Sequence, residues 1–167
     1  MWSKRTTVSV SLFGLVLLGL GTIEAATRPG LVLFTPEEAS GLRFGAGEWR
    51  PPVVLRSIPP GPRVVVQHPT VEQTADGATI LTGSPTDLRI SFEPTRAPVD
   101  MESLEVRAKK AIFSVSLTDR LKPYLRGTNL EATGVNVPEG RFLIQIEIAD
   151  KSGQKTVETY RLEVKQP

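Results

Sequence analysis

The chain of 167 residues contains no cysteine and one histidine. The first absence excludes disulfides, thiolate metal centres, lipidated cysteine and thiol nucleophiles, so packing alone must hold the fold. The second leaves His68 as the sole histidine base. It stands beside Pro69 with no Ser or Asp placed locally to complete a triad, and it reads as an ordinary strand-end residue. Aromatic residues are 6% of the chain, with two Trp and two Tyr. Closely spaced aspartates of the kind calcium loops use are missing. Gly45, Gly47, Gly61, Gly77 and Gly83 belong to no phosphate-binding motif. Asp100, Glu102 and Asp119 fall in expected loops, but nothing fixes their separation as an acid and nucleophile pair. No catalytic, cofactor-binding or metal-binding residue is therefore assigned, and neither enzyme activity nor a cofactor is expected.

A single-sign charge excess is lacking too. Lys plus Arg number 20 and Asp plus Glu 18, and the two signs alternate along the chain instead of forming a phosphate-binding footprint. Nucleic acid is not an expected partner.

What is present begins with a targeting signal. Lys4 and Arg5 precede an apolar run from Val8 to Gly21, and Ile23-Glu24-Ala25 reads as the cleavage site, with maturation after Ala25. The run is shorter than the ~20 residues a spanning helix needs. A periplasmic or secreted location is expected, with membrane contact only through this segment if it is retained. Its removal takes the basic residues from 20 to 18 and the acidic ones from 18 to 17, a net charge of +1.

Residues 26–62 have no steady period and carry Pro29, Pro36, Pro51, Pro52, Pro59, Pro60 and Pro62. They read as an N-terminal arm. Thr35-Pro36-Glu37-Glu38 combines an N-cap, a proline at the first helical position and a capping-box glutamate, predicting a short helix near 36–43.

From Arg63 to the end the period becomes two. Leu88, Ile90 and Phe92 form one apolar face, Phe142, Ile144, Ile146 and Ile148 a second, and Tyr160, Leu162 and Val164 a third. Asp150-Lys151-Ser152-Gly153 reads as the hairpin turn between the last two. Weaker runs lie at 63–67, 78–82, 104–109, 111–117 and 130–137. Between them, Thr118 or Asp119 can cap a helical turn that Pro123 limits.

Val137-Pro138-Glu139-Gly140-Arg141-Phe142, the alternating isoleucines and the turn at 150–153 resemble the last two strands of immunoglobulin-like and fibronectin type III modules, over residues 63–165. Phe142 stands where many such modules have tyrosine, without the hydroxyl that makes their corner hydrogen bond. Residues 97–106 and 116–121 likewise resemble exported bacterial proteins of uncharacterised function with a single immunoglobulin-like domain. The resemblance implies an all-β, immunoglobulin-like antiparallel sandwich of about seven strands over residues 63–167, and an exported address.

The expected function is a non-catalytic interaction module of the cell envelope, binding a protein or a glycan. The alternatives are an accessory carbohydrate-binding domain and a structural protein assembling through its arm. Candidate partner-binding residues are Trp49 and Arg50 in the arm, because aromatic and Arg side chains anchor interfaces. A basic set of Arg107, Lys109 and Lys110 with Arg120, Lys122 and Tyr124 is a candidate patch for an anionic polymer. Self-association by exchange of an arm strand such as 31–34 or 53–55 is the third route.

Overall fold

The structure, a computed structural model, describes residues 30–45, Glu48, residues 60–74 and residues 77–165. The signal segment, its cleavage point and the runs 50–52 and 53–55 lie outside these residues.

The arm's helix, α1 (Pro36–Leu42), forms where its capping residues predict. The Thr35 hydroxyl accepts from the Glu38 N–H at 3.3 Å, and the Thr35 N–H donates to Glu38 Oε2 at 2.8 Å. Two donors at the helix start are thereby satisfied reciprocally. Arg43 turns to extended backbone and ends the helix.

The strands that follow are β1 (Arg63–His68), β2 (Val71–Thr74), β3 (Gly77–Thr82), β4 (Thr86–Glu93), β5 (Val99–Lys110) and β6 (Phe113–Ser116). A short helix α2 (Thr118–Leu121) and a 3-10 turn at Lys122–Tyr124 then lead to β7 (Leu125–Arg126), β8 (Asn129–Val135), β9 (Gly140–Asp150) and β10 (Lys155–Val164). One sheet has the order β1-β4-β8-β7 and the other β2-β3-β10-β9-β5-β6. All neighbours are antiparallel except β3 and β10. The first order, facing β10-β9-β5, is the arrangement of an immunoglobulin sandwich. The protein is an all-β, immunoglobulin-like sandwich.

Ten strands stand among the described residues where about seven were expected. The seven framework strands are β1, β4, β5, β7, β8, β9 and β10; the additions are the β2–β3 hairpin and β6. β1 stops at His68 because Pro69 has no N–H to continue the ladder. The chain then crosses to the second sheet, where β3 runs beside β10. β2 and β7 carry too little alternation to be read from sequence.

The β9–β10 hairpin holds the longest register, from Lys155 opposite Ala149 to Val164 opposite Gly140. Its turn is tied by Asp150 Oδ1, which accepts from the Ser152 N–H, the Ser152 hydroxyl and the Gln154 N–H at 2.6–3.0 Å. Phe142 is fully buried, and its ring stacks on Phe34 with centroids 4.8 Å apart. Leu31, Leu33, Phe34, Ala39 and Leu42 belong to the same core cluster as the strand residues. Backbone bonds tie this segment down as well: the Leu33 N–H donates to Asn136 O at 3.0 Å, and the Asn136 N–H to Leu31 O at 2.7 Å.

Candidate interaction surface

Trp49 and Arg50 lie outside the described residues. The six remaining candidates do not converge on one patch. Arg107 and Lys109 alternate along β5 with buried Val106 and Ala108, so they project from the outer face of the larger sheet. Arg107 is already engaged by Glu105 on the same face. Lys110 turns the other way. Its ammonium contacts Glu48 at 2.9 Å, donates to Arg43 O at 2.5 Å and lies 5.5 Å from the centre of the Phe44 ring.

Arg120, on α2, reaches back to the arm. It donates to Leu33 O at 2.7 Å and to both carboxylate oxygens of Glu38, at 2.8 and 2.7 Å. This two-pronged geometry is the strong form of a charge-assisted hydrogen bond. It holds the Glu38 carboxyl down at about 2, against an ordinary 4.5, with smaller help from Thr35 and in opposition to partial burial. Lys122 pairs with Asp119 at 2.7 Å on an exposed turn, and Tyr124 is half-buried against the core. Two cations of the expected polymer patch therefore serve as clamps between the arm and the sandwich. They are taken up because α1 lies beside β5 and β6, a proximity that sequence spacing does not reveal.

The feature that sequence reasoning missed is the tip between β5 and β6. Residues 111–117 read as one strand, but the chain reverses at Ala111 and Ile112. Ala111 takes a φ of +50°, the left-handed region that hairpin turns require and that a residue with a Cβ enters at a cost. The reversal leaves Ile112 92% exposed and Phe113 62% exposed. A Lys-Lys-Ala-Ile-Phe run that interrupts the alternation was the available signal.

Other candidates disperse. His68 is exposed at the end of β1, opposite Arg89. Among the described residues no group of three or more His, Asp or Glu could hold a metal ion.

The interior holds a second feature. A cavity of about 60 Å³ lies between the sheets, walled by Val66, Leu88 and Ile90 on one side and by Ile80, Ile144 and Tyr160 on the other. Ile90 and Ile144 sit mid-strand, face inward and are partly buried against the core, whereas Phe92, Phe142 and Ile148 are at most 1% exposed. Glu158 faces the same interior one inward position before Tyr160. Burial pushes its carboxyl up, and burial with the neighbouring Glu158 charge pushes the Tyr160 phenol up.

No protein-family model matches the chain, and no curated protein matches it. Among solved structures it is similar to CopC from Methylosinus trichosporium OB3b, with 11% identity and a TM-score of 0.38 over 63% of this chain and 94% of that one. It is similar also to murine CRIg, with 7% identity and a TM-score of 0.35 over 63% of this chain and 98% of that one.

Proposed function

We propose that this chain is an exported, non-catalytic interaction module of the cell envelope that docks a protein partner through the β5–β6 tip. The observation that carries the reading is the exposure of consecutive Ile112, on the turn, and Phe113, the first residue of β6. Apolar surface of this kind is stabilised by transfer out of water, and aromatic residues, Phe among them, are enriched in the cores of protein interfaces. Lys109, two residues before Ala111 on β5, supplies a polar rim.

A protein fits this tip better than a glycan. Sugar rings stack on aligned flat aromatic faces, whereas Tyr160 is buried, Tyr124 is half-buried and the tip offers one phenyl ring beside a branched aliphatic chain. Residues 31–42 are engaged within their own chain, so this reading does not route binding through them. Export rests on Lys4, Arg5 and the apolar run that follows.

A photo-crosslinking residue placed at position 112 or, as a control, at exposed Ser152 tests the proposal in the envelope of the cell that makes the protein. A discrete adduct from position 112 alone, lost in Phe113→Ser, is expected. Equal labelling from both positions, or none from 112, sinks the reading.

A further inference from the structure

Resting on the reading of the β5–β6 tip as a docking surface, we infer that its occupant is a second copy of this chain. The two copies pair edge to edge and antiparallel along β6, with Ser114 opposite Ser116 of the copy. β6 ends the strand order of the larger sheet, so one of its edges has no neighbouring strand. The Leu117 N–H donates to Val106 O at 2.8 Å, and β6 runs in register with β5 from Phe113 opposite Lys110 to Ser116 opposite Arg107. Backbone groups of an antiparallel strand alternate in direction. Phe113, Val115 and Leu117 therefore turn theirs toward β5, and Ser114 and Ser116 turn theirs toward the free edge. Both serines are exposed, and among the described residues no turn, loop or helix supplies a partner for their backbone groups.

Open edges are normally guarded by charge or proline. Of the four edge strands among the described residues, β1 carries Arg63, β2 carries Glu72 and β7 carries Arg126, whereas β6 reads Phe113-Ser114-Val115-Ser116 and carries no charge. It is also the edge that adjoins the bare Ile112. An unguarded edge of this kind accepts an added strand through main-chain hydrogen bonds.

Spacing selects the copy. Two outward-turned residues on either side of Val115 are their own complement under a half-turn about that residue, which is the condition for an isologous contact. In this register each Ser114 exchanges both backbone bonds with Ser116 of the copy, Val115 meets Val115, and the exposed Phe113 falls opposite Leu117. Charge permits the pairing. The nearest cations on the outer face are Lys109 and Arg107, opposite Ser114 and Ser116. Across the join, Lys109 stands three strand spacings from Arg107 of the copy, about 14 Å, beyond the screening length of ~8 Å. Arg107 is in any case engaged by Glu105.

The test uses the full chain purified as its cell makes it. The chain has no cysteine, so the thiol of Val115→Cys can pair only with another copy. The Cα atoms of such a facing, non-hydrogen-bonded pair stand about 4.5 Å apart, close enough for a disulfide. Under oxidation by copper phenanthroline, Val115→Cys should form a covalent dimer about tenfold or more faster than Ser152→Cys, which carries its thiol on another exposed turn. Adding Ser114→Pro removes an N–H aimed at the copy and none aimed at β5, and should slow the reaction about tenfold or more while cooperative unfolding is retained. Ser114→Lys with Ser116→Lys sets like charges opposite each other across the join and should do the same without a proline in β6. Dimer formation by Val115→Cys no faster than by Ser152→Cys overturns the proposal. So does an undiminished rate in the folded double-lysine variant. The photo-adduct at position 112 separates this failure from that of the docking tip. An adduct with the mass of two chains supports both, and an adduct to a different protein keeps the tip and overturns the copy. No adduct and no dimer overturns both.

Discussion

The flank covered by residues 31–42 and the tip at 111–113 both lie beside the β5–β6 edge, and they are opposite in character. Each joins a phenylalanine and a branched aliphatic residue to basic neighbours. On the flank Phe34 is sealed against Phe142, and Arg120 is consumed by Glu38 and a backbone carbonyl. At the tip Ile112 and Phe113 face solvent. Residue type does not separate the two regions. The difference is that α1 reaches the flank, while the β-turn carries the tip past every covering element among the described residues. The bare tip is the surface that the proposed partner would cover.

The comparison breaks most readily at Phe34. Phe34→Ala is expected to destabilise by about 3–5 kcal/mol, the cost of emptying a fully buried aromatic position, measured by urea unfolding with the slope checked for two-state behaviour. A loss below about 1 kcal/mol would mean that the arm contributes little to the core.

The clamp comes next. Arg120→Ala should cost about 2 kcal/mol, because it strips the partner from a partly buried carboxylate and from the Leu33 carbonyl. The paired Glu38 also makes the clamp sensitive to pH. Its folded value of about 2 lies below the ordinary 4.5, so its contribution is fully present above 4.5 and is lost as pH falls toward 2. Glu38→Gln should therefore flatten the acid side of the stability profile between about pH 5 and 2, with little change in the pH dependence above 6. An unaltered acid limb would show that the pair is not formed in solution.

Thr35→Ala removes the hydroxyl half of the capping box and should cost about 1 kcal/mol, read from the same unfolding curves. A loss equal to that of Phe34→Ala would indicate that the whole arm detaches with its cap. The smallest effect is expected at the tip: Ile112→Ser with Phe113→Ser should move stability by less than about 0.5 kcal/mol while abolishing the adduct at the partner. A large destabilisation would place these side chains inside the folded unit.

Much of the sandwich is legible in the chain, because a half-buried strand writes its burial as alternation. The runs ending at Phe92, Ile148 and Val164 announce their inner faces, and β9 with β10 forms the hairpin that the turn at 150–153 predicts. The capping residues Thr35 and Glu38 act within one helical turn, so α1 was legible as well. The candidate site was legible in part only. Lys110 and Arg120 read as members of a patch for an anionic polymer because their partners, Glu48 and Glu38, lie 62 and 82 residues away along the chain. Ala111 and Ile112 read as strand because Ile favours β structure and the positive φ at Ala111 leaves no mark in a residue that is not glycine, while Phe113 does open β6 as expected.

The sequence by itself determined the all-β class, most of the inward faces and the helix cap, each governed by contacts between residues two to four apart. Only the tertiary structure decided that Phe34 completes the core, that two cations clamp the arm, and that Ile112 and Phe113 stay bare. These outcomes depend on which distant segments meet, and local periodicity carries no information about that.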